Sequence, residues 1–119
     1  MINDIEIIKN LFLDQNEIKK LNSSYQGREL FEPIFNKNQQ KIEVIHSFNA
    51  QTDWIINNTI EFVILLKGSG TLQNAQNNFY KINQGNLIKI NPFTKHKVVQ
   101  TSKYALWLAI HLGGDDVKS

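Results

Sequence analysis

From Lys41 onward, apolar and polar residues alternate with a period of two, and short runs of this kind recur as far as Leu112 with turn residues between them. In the first run Ile42, Val44, His46 and Phe48 fall on one face. Ala50–Asp53 is a turn, and Trp54–Ile60 leads into an apolar strand, Glu61–Lys67, that Gly68 closes. Gly68–Gly70 forms the next turn, Thr71–Gln73 a short strand, Asn74–Asn77 a hairpin loop and Phe79–Ile82 a further strand. After the turn at Gly85, Leu87, Lys89 and Asn91 alternate with Ile88 and Ile90. Pro92 must end that strand, because it cannot donate to a ladder and fixes its own φ. His96 opens the next extended run, Lys97–Gln100, and Thr101–Lys103 turns into Tyr104–Leu112. That last strand is apolar on both faces, which predicts a central position in a sheet. About eight short strands at regular spacing predict a small all-β sandwich or jelly-roll barrel.

Ahead of the strands the pattern takes the helical period. Ile2, Ile5, Ile8 and Leu11 or Phe12 recur at that spacing, with Asn3 or Asp4 available as N-cap. Asp14 and Glu17 have the spacing of a capping box, and Ile18 and Leu21 form a short apolar face behind them. These features predict one or two short amphipathic helices lying on the body of the domain or on a partner. The second is too short, and carries only Lys19 and Lys20, for a DNA-reading helix-turn-helix. Asn22–Gly27 reads as a loop, and Phe31–Phe35, with Pro33 inside it, as an edge strand or an arm over the barrel mouth. The expected organisation is a helical segment over 1–22, a β-barrel over 23–112 and a flexible tail over 113–119.

Length and composition narrow the picture. A chain of 119 residues suits one domain with one core. No apolar run is long enough to span a membrane, and the N-terminus lacks the basic and unbroken apolar regions of a secretory signal. With no cysteine there is no disulfide, thiolate nucleophile or Cys-ligated zinc. The net charge of +2 comes from scattered lysines and not from a basic stripe of the kind nucleic acid requires. A cytoplasmic protein with no membrane partner is expected.

The stretch from Gly85 to His96, a glycine, an alternating strand, a Pro turn and a histidine, resembles the second motif of the cupin superfamily. Glu61 and Gly68 stand where the first cupin motif has its glutamate and closing glycine. Ile90-Asn-Pro-Phe-Thr-Lys-His96 followed by Tyr104–Leu112 resembles one branch in particular, the N-terminal sensor domains of AraC/XylS-family transcription regulators. The resemblance covers about Lys41 to Leu112. It implies a cupin-like double-stranded β-helix, and an effector-binding and dimerisation domain of a homodimeric regulator. DNA would be bound only through a separate C-terminal helix-turn-helix domain that these residues do not contain.

Candidate chemistry follows from the same residues. In metal-binding cupins two histidines precede the first-motif glutamate by four to six residues, but here Trp54–Asn58 holds none. Two good ligands, Glu61 and His96, do not hold a transition metal tightly, so neither metal nor cofactor is expected. Glu61 and His96 are expected as a polar pair inside the barrel. With Trp54 and Trp107, and more weakly His46, they make a candidate binding site for a small polar effector such as a sugar. His46 and His111 read most simply as half-buried histidines satisfied by backbone. Gly68–Gly70 precedes no helix N-terminus and so is a turn, not a phosphate loop. No catalytic residue is expected. The alternative is a stand-alone small cupin enzyme, a metal-dependent dioxygenase or isomerase.

Overall fold

The computed structural model describes residues 4–113. One helix, α1 (Gln15–Tyr25), precedes eight strands: β1 (Glu29–Lys37), β2 (Gln40–Ser47), β3 (Ile60–Lys67), β4 (Ser69–Asn74), β5 (Phe79–Asn83), β6 (Leu87–Ile90), β7 (His96–Thr101) and β8 (Ala105–Leu112). They form a five-stranded sheet of order β1-β2-β8-β3-β6 and a three-stranded sheet of order β5-β4-β7, with every pairing antiparallel. The all-β class, the hairpin loop before Phe79, the end of β6 ahead of Pro92 and the start of β7 at His96 all follow the sequence pattern. So does the central place of β8, which is hydrogen-bonded on both sides by β2 and β3.

The N-terminal segment departs from the pattern. Asp14 caps α1 as expected: its carboxylate accepts from the Glu17 amide at 2.8 Å, and Glu17 accepts in return from the Asp14 amide at 3.1 Å. Residues 6–14, however, are not helical. Ile2 and Asn3 lie outside the described residues, as do positions 114–119 of the expected tail. Ile5, Ile7 and Ile8 are exposed, so no packing pulls the segment into a helix, and β-branched residues lose rotamer freedom there. It runs instead toward the edge strand β1, where Lys9 pairs with Glu32. Pro33 sits in that edge strand at a register shift between Pro33 and Phe35, the place where a missing N–H is tolerated.

The two sheets pack through one cluster. Ile45, Val63, Leu65, Ala105, Trp107 and Ala109 of the large sheet bury against Ile82 of the small one, with Leu72 and Ile88 partly buried beside them. Each such aliphatic side chain contributes about 1.5–3 kcal/mol through burial. β2 is inverted relative to its hydrophobicity: Lys41, Glu43 and Ile45 face the space between the sheets, while Val44, His46 and Phe48 are buried on the opposite face. There Phe48 stacks with Tyr25 and packs against Tyr104, at centroid distances of 6.3 and 5.5 Å.

Two glycines make the passage from one sheet to the other possible. Gly68 alone separates β3 from β4, with φ +88, and a Cβ there would meet the Tyr104 carbonyl at 2.4 Å. Gly70 is covered by the Trp107 indole, which a Cβ would approach to 2.8 Å. Gly70→Ala is therefore expected to push the indole off β4 and destabilise the fold by roughly 1–3 kcal/mol. Urea denaturation, with the Trp107 emission maximum as a second readout, tests this; unchanged values for both would refute the packing role.

Candidate functional site

A cavity of about 480 Å³ lies between the sheets. Its walls are mostly apolar, with Ile45, Val63, Leu72, Ile88, Val98 and Trp107 among them. Strand alternation brings Glu61 of β3, Lys41 and Glu43 of β2, and His111 of β8 to one end. Register aligns the first pair directly, since Glu61 lies opposite His111 and His111 opposite Lys41. His96 enters from β7 on the facing sheet, and Glu29 from β1. The half-exposed Phe31 marks where the cavity meets solvent.

The structure thus brings together Glu61, His96 and Trp107 of the residues expected from sequence. Trp54 and His46 lie elsewhere. Trp54 is 40% exposed, and the ammonium groups of Lys95 and Lys97 sit 5.4 and 4.7 Å from its ring centroid. His46 is on the outer face of the large sheet. Its Nε2–H donates to Glu32 Oε1 and its Nδ1 accepts from the Tyr104 hydroxyl, both at 2.7 Å. Glu32 is an acceptor only, which sets that tautomer. Burial, with help from Glu32 and Glu17, pushes Tyr104 up to about 12, so this trio holds no reactive phenolate and serves packing.

Three residues join the site that sequence reasoning did not place there: His111, Glu43 and Glu29. His111 Nε2–H donates to Glu43 Oε1 at 3.2 Å, Nε2 lies 3.7 Å from Glu61 Oε2, and Nδ1 accepts from the Thr59 hydroxyl at 3.3 Å. Glu43 also pairs with Lys41 at 3.3 Å. Glu29 accepts from the Ser47 hydroxyl at 2.6 Å, and Ser47 in turn accepts from the Trp107 indole N–H at 3.0 Å. His96 Nδ1–H donates to the Thr94 carbonyl at 2.8 Å. Glu61 Oε1 is buried and unbonded.

Electrostatics separates the three glutamates. Burial raises the Glu61 carboxyl above its ordinary range, against the opposing pull of His111 and His96. Burial likewise raises Glu29, although the Ser47 bond opposes it. For Glu43 burial is again the largest influence, but the His111 and Lys41 contacts together outweigh it and leave the carboxyl below its ordinary range. The site therefore combines an ionised glutamate, held by two partners, with a neighbour that resists ionisation across one imidazole. That pairing can bind a polar group or pass a proton. A metal does not fit: Ile55 and Asn57 occupy the wall ahead of Glu61. Among the described residues no three His, Asp or Glu side chains are arranged to hold an ion.

A raised carboxyl has a defined consequence for stability. Because burial raises its carboxyl above the ordinary value near 4.5, Glu61 ionises less readily in the fold than in the unfolded chain, so stability falls as pH rises from that value through the raised one. Glu61→Gln should remove this loss and raise the Tm at pH 7. The advantage should vanish below the ordinary carboxyl range. Thermal denaturation of both proteins across pH tests it; destabilisation at pH 7 would show that the His111 contact dominates.

No protein-family model matches the sequence, and no curated protein matches it. Solved structures do match. A provisionally assigned mannose-6-phosphate isomerase from Ralstonia eutropha JMP134 superposes with a TM-score of 0.67 at 23% identity, covering 72% of this chain and 85% of that one. A cupin domain from Bordetella pertussis Tohama I gives 0.61 at 10% identity, over 76% and 97% of the two chains. The lyase DddQ from Ruegeria pomeroyi DSS-3, which acts on DMSP, gives 0.65 at 9% identity, over 76% of this chain and 50% of its own. At such identities the likeness concerns the fold alone, and the chain has the β fold of the cupin-domain proteins.

Proposed function

We propose that the chain is a small-molecule-binding module, acting as the effector-binding and dimerisation half of an AraC/XylS-type transcription regulator in the cytoplasm. The observation that carries the binding role is the cavity: about 480 Å³, within the range of ligand pockets, with an apolar body and polar groups gathered at one end. The regulator role rests on the resemblance of Ile90–His96 and of the β8 sequence. A native reading frame that continues past Ser119 into two helix-turn-helix units would support it; a frame without them would remove it.

Dimerisation is supported by the N-terminal segment, where Ile5, Ile7 and Ile8 are 89, 92 and 68% exposed. Such a cluster of exposed apolar side chains is a docking element, and a second copy is the partner we assign to it. Sedimentation equilibrium should give a dimer that Ile5→Asp together with Ile8→Asp converts to monomer. A monomeric parent protein would overturn the assignment.

Catalysis remains the second reading, with one observation in its favour: a carboxyl shifted upward lies within 3.7 Å of an imidazole in a cavity. Two of the structural neighbours, the isomerase and the lyase, are enzymes by description. Glu43 and His111 are already bonded to each other, and Glu43 also to Lys41, which favours binding.

The binding role is tested with a neutral apolar dye, N-phenyl-naphthylamine. It should saturate at one site per chain with quenching of Trp107. Ile88→Trp, which fills the cavity, should abolish saturation while leaving the fold cooperative. Unchanged binding to that variant would place the site elsewhere.

A further inference from the structure

The polar end of the cavity has a direction, because its groups are not equally spent. Lys41, the cation lining it, is paired with Glu43. His111 is used at both nitrogens, donating to Glu43 and accepting from Thr59. Glu29 is satisfied by Ser47. His96 donates its Nδ1 proton to the Thr94 carbonyl, so in the neutral ring Nε2 carries the lone pair. Glu61 Oε1 is buried without a partner in a side chain only 9% exposed. Among the lining carboxyls and imidazoles, the atoms left for a guest are acceptors, a carboxylate oxygen of Glu61 and an imidazole nitrogen of His96. Three carboxyls against one lysine give the same end an acidic balance.

From this we infer that the cavity selects a small organic cation, a primary ammonium on an apolar body, whose N–H groups bond Glu61 Oε1 and His96 Nε2. The inference rests on the binding role proposed above and names its ligand class. An ammonium brings three donors and a charge opposite to that of the lining glutamates, so it satisfies the buried orphan that an anion or an alkane would leave unpaired. The hydrocarbon body would lie against Ile45, Val63, Ile88 and Trp107, all of which line the same space. A sugar fits less well. The second ring expected to stack on it, Trp54, is outside the cavity, and most of the lining offers a hydroxyl-rich guest no partner.

Three probes of matched length separate charge from hydrophobicity: n-hexylamine, hexanol and hexanoate. Binding is read at neutral pH by Trp107 emission in a Trp54→Phe background, together with the rise in Tm. Hexylamine should bind at least tenfold more tightly than hexanol, with hexanoate weakest, and Glu61→Gln should bring hexylamine and hexanol to equal affinity. That variant is expected to fold, and its own melting curve confirms it. Hexanol or hexanoate binding as tightly as hexylamine would overturn the ammonium inference while leaving the binding role intact. Retention of the hexylamine preference in Glu61→Gln would overturn the role given to Glu61. If none of the three probes binds and the neutral apolar dye also fails to saturate, the binding role falls with it.

Discussion

The seat of Trp107 on Gly70 is the contact on which the rest depends. The indole comes from the central strand of the large sheet and lies against a residue of the small sheet that has no side chain. A large ring over a bare backbone brings the two sheets together at this point, and the same ring forms part of the cavity wall. The same ring donates its N–H to Ser47, and Ser47 holds Glu29. One side chain therefore joins the apolar core to the polar lining. The geometry of the site is inherited from the packing of the fold.

Much of this was legible in the sequence because the relevant signals are local. Pro92 had to end a strand, Gly68 had to sit at a tight passage, and a strand apolar on both faces had to be central, each for steric or hydrogen-bonding reasons that need no tertiary information. The Asp14–Glu17 capping box is of the same kind. Glu61 and His96 were visible as polar residues at strand starts next to apolar runs, and the cavity does hold both of them.

What sequence could not show depends on which face of a strand turns inward. Along β2 and just past it, His46 and Phe48 pack against Tyr25 and Tyr104 with Val44 buried on the same face, and the polar positions Lys41 and Glu43 line the cavity. Alternation gives the two faces but not their assignment when both are buried. The His46 assignment therefore went to the wrong side, and Glu43 was missed with it. His111 could have been placed once β8 was known to be central, because it shares a face with Trp107 at a spacing of four residues. The N-terminal helix failed for a different reason. Its apolar spacing was helical, but the segment meets no surface to bury that spacing, and an isolated β-branched run lacks the propensity to fold alone.

The lining charges give a last constraint on what the cavity is for. A core built only for stability would fill this space with aliphatic side chains, since a buried carboxyl without partners is costly and large voids forfeit packing energy. Here the fold keeps three glutamates inside, leaves one oxygen unbonded and holds the volume open. Such violations of packing economy cluster where a protein meets a ligand, because the missing partner is the one that arrives from outside. The Glu43–His111–Lys41 contacts then have a clear place. They fix the imidazole and neutralise the neighbouring carboxylate, which leaves Glu61 Oε1 as a buried oxygen without a protein partner. On the proposed binding role, an unmet acceptor in an apolar chamber would select by chemistry at one end and by shape at the other.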